Sequence, residues 1–397
     1  MLGGYGRDHR RRAAATAVLC GLLSACESPV PFYPPGQGAP DDPVIGLGGP
    51  APVAVASRPR ATAGPAATGA DVYAATRPGR WSPVTRALPP RLYVPNAATG
   101  AVDVLALPGG RLVGRIPVPG GGRDARVVPS WNLKWLWVVG RDGLLPVSAR
   151  SGRRGRVRPV PGVRGLYFTS RGREAVTISA RRVVFRDPVT MRARAALRLP
   201  CVGTPHADLS ADEGTLVLAC VRPGMLVGVD VARRVTTGTL ALPIGAHPQG
   251  VRLSPDGSLF YVADAVRGGV WLVDAARLQA TGFIVTAPGA SGLLPGRDAR
   301  TLYVLGRGDG SLTAVDFAAR RVTGRRRLPL AGTAALGGAA ADGAALWLTA
   351  PAAGTVYSVS ADDGGVTGMV RLGGRPVNPL LYPQPARYSL GGTAHFR

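Results

Sequence analysis

The 397-residue chain reads as all-β, a seven-bladed β-propeller of four-stranded blades. The first observation behind this reading is a short aromatic or β-branched strand that returns every 40 to 44 residues. Its landmarks are Leu92-Tyr93-Val94, Leu136-Trp137-Val138, Ala175-Val176-Thr177, Leu216-Val217-Leu218, Phe260-Tyr261-Val262, Leu302-Tyr303-Val304 and Leu346-Trp347-Leu348. A repeat of that length built from strand-forming residues is one propeller blade, so seven landmarks give seven blades. The second observation is punctuation: 56 Gly and 37 Pro separate the runs, which suits many tight turns and few helices. Third, 46% hydrophobic residues are enough for a large packed core.

The amino-terminal region precedes the repeats and has its own logic. Arg10-Arg11-Arg12 stands before an apolar stretch, residues 13–23, that is too short to span a bilayer. It ends in Leu23-Ser24-Ala25-Cys26, which resembles the lipobox of bacterial lipoproteins. The resemblance implies a signal peptide over residues 1–25 and lipid attached to Cys26. The mature chain would then be held at the bacterial cell envelope by several acyl chains, where one alone gives marginal anchoring. In that family Asp after the Cys favours the inner membrane. Glu27 stands there instead, which implies the outer membrane of a Gram-negative cell, facing the periplasm or the exterior. Residues 26–88 carry Pro34-Pro35-Gly36 and Gly48-Gly49-Pro50 and no useful periodicity, so they read as a flexible tether. The propeller is assigned to residues 89–397.

One repeat shows how a blade is built. Pro248-Gln249-Gly250-Val251-Arg252-Leu253-Ser254 alternates as an inner strand and Pro255-Asp256-Gly257 makes a hairpin turn. Leu259 begins the second strand, Gly269 the third and Ala280 the fourth. Asp230, Asp274 and Asp316 follow the same period. Pro248-Gln249-Gly250, Ser254-Pro255-Asp256-Gly257, Phe260-Tyr261-Val262 and Val273-Asp274 resemble the YVTN-type β-propeller repeat, with a looser copy around Pro205-His206-Ala207. This resemblance implies a seven-bladed, commonly extracytoplasmic propeller, but no single activity. Residues 375–382 read as an inner strand without its own blade. The expected closure places it beside the strand of Tyr93, so that both chain ends share one sheet.

By the same resemblance, ligands bind at the mouth formed by loops entering the inner strands and loops joining second to third strands. The residues placed there are Asn96, Asp124, Asp142, His206, His247, Asp264, Arg307 and Asp309. His206, His247 and Asp264 form the one candidate set for metal or acid/base chemistry. Against an enzyme stands the shortage of carboxylates: the three Glu are Glu27, Glu174 and Glu213, and most Asp fall in turns on the opposite face. No haem-attachment motif, nucleophile elbow or phosphate-binding Gly-rich loop is present, and no cofactor is expected. Cys201 and Cys220 lie on the first two strands of one blade, slightly out of register. They are either two buried thiols or a disulfide, whose loop closure would be worth about 3 kcal/mol.

Net charge is +25, and about +21 of it falls in the repeat region. Such a field attracts anions: a lipid head group, an acidic envelope polymer or an acidic protein partner. Arg153-Arg154-Gly155-Arg156 and Arg325-Arg326-Arg327 are the densest clusters. They lack interleaved aromatics, which argues against nucleic acid. Two classes of function remain: a lipid-anchored scaffold that binds a ligand or protein without catalysis, and a metal-assisted lactonase- or lyase-like enzyme. The anchoring expectation has a direct test. Cys26→Ser should abolish acylation and membrane partitioning, followed by labelled fatty-acid incorporation and detergent phase separation; a variant that still partitions like wild type would refute the lipobox.

Overall fold

The computed structural model describes residues 71–122, 124–328, 334–392 and 394–397. Cys26 and the region read as signal peptide and most of the tether lie outside them. The described chain forms seven antiparallel sheets. All seven landmark triplets fall on second strands: Arg91–Asn96, Trp135–Val139, Ala175–Ile178, Thr215–Arg222, Leu259–Asp264, Thr301–Gly306 and Ala345–Ala350. A second strand is hydrogen-bonded on both edges and covered on both faces, so its middle is apolar on both faces. Leu259–Asp264 is buried at every position. Outermost strands such as Val235–Ala241 are exposed on alternate residues, because one face meets solvent.

Packing follows the ring. Seven apolar clusters of described residues fill the seven interfaces between neighbouring blades. The landmark aromatics also tie blades together by hydrogen bonds. Tyr261 donates its hydroxyl to the Phe317 carbonyl of the next blade at 2.9 Å, and stacks edge-on against the Phe317 ring. Tyr303 repeats the device toward Ala361. The periodic aspartates have a turn-forming role. Asp230, Asp274 and Asp316 end third strands and accept backbone N–H groups of Arg233, Arg277 and Ala319. Each such turn then passes through a left-handed residue, Arg234, Leu278 or Arg320.

Closure pairs the two ends of the chain. Leu380–Tyr382 is the inner strand of blade 1 and runs antiparallel to the first strand of the ring, with Tyr93 opposite Leu380. The Asn96 side chain secures the approach, accepting the Arg375 N–H and donating to the Gly373 carbonyl. Leu381 joins Leu92, Val94 and Val356 in the interface with blade 7.

Two features depart from the expected layout. Residues 71–88 were assigned to the tether, but they pack on the ring. Tyr73 is buried and donates to Leu253, the Val72 N–H reaches Pro255, and Arg77 reaches the Asp298 carbonyl. The Pro- and Gly-rich composition concealed a segment held by single contacts to successive hairpins rather than by a periodic face. Blade 3 also has six strands where four were expected. After the closing strand the chain continues across the hairpin end of the ring, where Ser389–Gly391 pairs beside Gly165–Phe168 and His395–Phe396 folds back on it.

Cys201 and Cys220 are bonded, with Cα atoms 5.9 Å apart. The register slip that set them apart in the sequence is taken up by bulges in the inner strand, which place Gly203 opposite Cys220. Deleting residues 375–397 should remove the closing strand and leave the Arg91–Asn96 edge open. A clear fall in melting temperature, with aggregation through that edge, is expected by calorimetry and light scattering; unchanged melting would show that closure contributes nothing.

Candidate functional site: the cationic central channel

The inner strands line a central channel whose two ends differ. At the hairpin end, residues 71–88 and 383–397 bridge successive blades. Ser389 bonds the carbonyls of Trp131 and Pro129, Gly392 bonds Leu166, and Arg297 donates to Thr76. Arg397 donates to the carbonyls of Leu209 and Ser210. The opposite end is the mouth expected from the sequence, and a cavity opens into it with Ala394 and His395 on its lining.

Four consecutive blades carry the same irregularity at this cavity. The inner strands of blades 4 to 7 are bulged between Gly203 and Ala207, Pro248 and Val251, Ala290 and Gly292, and Leu336 and Gly338. A bulge takes its extra residue out of the ladder and re-aims the backbone. Glycine is required where these strands crowd together: a β-carbon on Gly250 would lie 2.6 Å from the Ser291 carbonyl oxygen.

Charge is concentrated around this space. His206, Arg252, Arg307 and His395 all line the cavity. Arg126, only 5% exposed, stands close enough to act on His206 electrostatically. Asp208 is the buried carboxylate among them. It accepts from Arg397 and from the His395 imidazole at 3.2 Å each, and from the backbone of Leu209 and Leu253. Burial alone would push its pKa up, but His395, Arg397 and Arg252 outweigh burial and hold it below the ordinary carboxylate value. Asp208 is therefore committed to clamping the 383–397 segment. Its charge is matched by Arg397, while Arg126 and Arg252 are buried nearby and Arg307 stands at the mouth.

The two channel histidines respond to these charges. Burial, with the Arg252 charge, lowers His395 to about 4 despite Asp208 beside it. Burial, then Arg126 and Arg307, lowers His206 well below its usual value. Both rings are neutral at pH 7. Burial also lowers the pKa of Arg126.

The residues expected at the mouth divide by what they touch. Asp264, fully buried, accepts from the backbone of His247, Val266 and Arg267 and from the Trp271 indole. Asp309 accepts from Ser311 and Arg325, and Asn96 is engaged in closure. These three side chains are occupied in holding loops. The His247 ring meets Gln249 at 2.9 Å and does not line the cavity. Asp124 and Asp142 are exposed, the latter beside Arg141. His206 and Arg307 alone of the eight line the cavity. Among the described residues no three His, Cys, Asp or Glu side chains converge as metal ligands. Of the Arg clusters, 325–327 lies on the outer strand of blade 6 and 153–156 precedes the fourth strand of blade 2.

Sequence reasoning passed over Arg126, Asp208, Arg252, His395 and Arg397. For Asp208 and Arg252 a signal existed, since each puts a charge on an inner strand otherwise read as buried, at equivalent positions of adjacent blades. Nothing local marks His395 or Arg397.

No family model matches the chain, and no curated protein matches it. Solved structures do. A functionally unknown protein from Desulfotomaculum acetoxidans matches with a TM-score of 0.62 at 11% identity, covering 72% of this chain and 98% of that one. Dihydro-heme d1 dehydrogenase NirN matches with a TM-score of 0.55 at 13% identity, covering 77% of each chain. The β-propeller domain of Cps50 (Swd1) from Myceliophteria thermophila matches at 0.53 and 12% identity, covering 62% of this chain and 86% of that one. At these identities the likeness is one of fold. The chain is a seven-bladed β-propeller.

The depressed histidines set the acid behaviour. Both bind fewer protons folded than unfolded, so stability is full above the unfolded value near 6.5. It falls as pH drops toward the folded values, about 4 for His395. Melting temperature should decline across that window, and His395→Gln should flatten the decline in part, His206 accounting for the rest. An equal slope in the variant would contradict this.

Proposed function

We propose that this propeller acts by binding at the open end of its channel and not by turnover, and that it does so tethered by lipid on Cys26 to the bacterial cell envelope. The finer family reading, a YVTN-type propeller, belongs to the same proposal. It rests on Pro248-Gln249-Gly250, Ser254-Pro255-Asp256-Gly257 and Phe260-Tyr261-Val262. The observation that carries the binding reading is the fate of the polar groups at the mouth. Hydrolysis needs a nucleophile, a metal cage or an acid/base pair of matched proton affinity. Here Asp264 is saturated by four donors and Asp208 is held by Arg397 and His395. His206 and His247 are not joined by a shared carboxylate. What faces the cavity is cationic and backbone-rich, which suits holding a ligand.

The second reading, a metal-assisted lactonase or lyase, would rest on His206 and His247. Metal analysis of the purified protein is expected to show no stoichiometric transition metal. His206→Ala combined with His247→Ala should weaken ligand binding at most. A metal lost on that double substitution, or lactone hydrolysis that it abolishes, would overturn the binding reading.

A further inference from the structure

Arg126 and Arg307 together identify what the channel can hold. Arg126 is 5% exposed, yet its one side-chain hydrogen bond among the described residues runs from Nε to the Asp124 carbonyl at 3.3 Å. Its terminal nitrogens have no protein acceptor there. Arg307 reaches the cavity with no side-chain hydrogen bond or ion pair among the described residues. Removing the Arg126 guanidinium from water is costly, while Arg307 stands exposed at the mouth where an entering anion meets it first. The carboxylate that acts on Arg126 is the solvent-exposed Asp124, and the buried Asp208 is already engaged by Arg397 and His395.

The lining suits an anion in a second way. The bulged inner strands place glycines, among them Gly250, Gly292 and Gly338, along the cavity. Backbone there meets the ligand space without side chains intervening, and backbone amides in concave arrangements favour anions. His206 stands in the bulge of blade 4 and lines the cavity, where its imidazole N–H can donate to an oxyanion.

We infer that the channel of blades 4 to 7 is an oxyanion site, for a phosphate or carboxylate group on a ligand small enough to enter from the mouth, gripped by Arg307 and His206 in the field of Arg126 and Arg252. This deepens the binding reading and rests on it. The free anion and the same group at the end of a larger ligand share this chemistry, so inorganic phosphate and citrate are the probes for the free form. Phosphate-terminated oligosaccharide is the probe for the attached form.

The test uses the purified full chain and titration calorimetry at constant, low ionic strength set with chloride. At least one of the three probes should bind at one per chain. Arg307→Ala should weaken that binding about 10- to 100-fold, the range for loss of a charge-assisted hydrogen bond, and Arg307→Lys should restore part of it. Arg321→Ala, an exposed outer-strand arginine of blade 6, should leave affinity unchanged. Because Arg307 is exposed at the mouth, its variants should melt like wild type. Preference for the oligosaccharide over both free anions would assign the attached form, and the reverse the free form. No saturable binding of any probe, or equal losses in Arg307→Ala and Arg321→Ala, would overturn the oxyanion site. That failure stays distinct from failure of the binding reading, which appears as a histidine-held metal or as turnover.

Discussion

The ring exists because its blades cannot stand alone. Each four-stranded sheet is apolar on both faces of its inner three strands, so it needs a neighbour on either side. Seven interfaces satisfy seven blades only if the first and last meet. Leu92, Val94 and Leu381 meeting Val356 is that joint, and the three-residue pairing of Leu380–Tyr382 with Arg91–Tyr93 completes the sheet on which it depends. Asn96 sits at the same place with both amide atoms engaged. A polar residue at the mouth thus has a structural task that outranks ligand contact.

Closure also determines what the channel becomes. The closing strand delivers the chain to the hairpin end of the ring, and the residues beyond it have nowhere to go but across that end. There Arg397 and His395 meet Asp208, a buried charge that would otherwise be costly. Residues 71–88 cover the hairpins of blades 5 and 6 from the other terminus. The result is a channel blocked at one end and open at the other. Its acid is neutralised at the blocked end, and Arg307 is exposed toward the open one.

The distribution of charge clarifies a composition that by itself says little. A net charge of +25 suggests a diffuse attraction for anions, and the densest arginine runs lie on the outside of blades 2 and 6. Arg126 and Arg252 do more by being buried beside the channel, with Arg307 at its mouth. Exposed runs are screened by salt; buried Arg126 and Arg252 are screened far less.

The number of blades, the second strand of each and the hairpin turns were legible in the sequence, because they depend on local rules repeated seven times. An apolar triplet must be buried on both faces, and Ser254-Pro255-Asp256-Gly257 can only turn. The closing strand was legible too, since 375–382 looked like a strand lacking a blade. Local rules could not show that residues 71–88 dock, that 383–397 supplies His395 and Arg397 to Asp208, or that a bulge brings Cys201 to Cys220. The first two depend on groups as far as 221 residues apart meeting in the ring, and the third on a register slip between adjacent strands. Nor could they separate Asp264, which four donors consume, from Arg307, whose side chain has no hydrogen-bond partner among the described residues. The sequence by itself determined the architecture, because pattern and turn chemistry act within one repeat. Only the tertiary structure decided which charges share the channel, because that depends on where seven repeats and two chain ends converge.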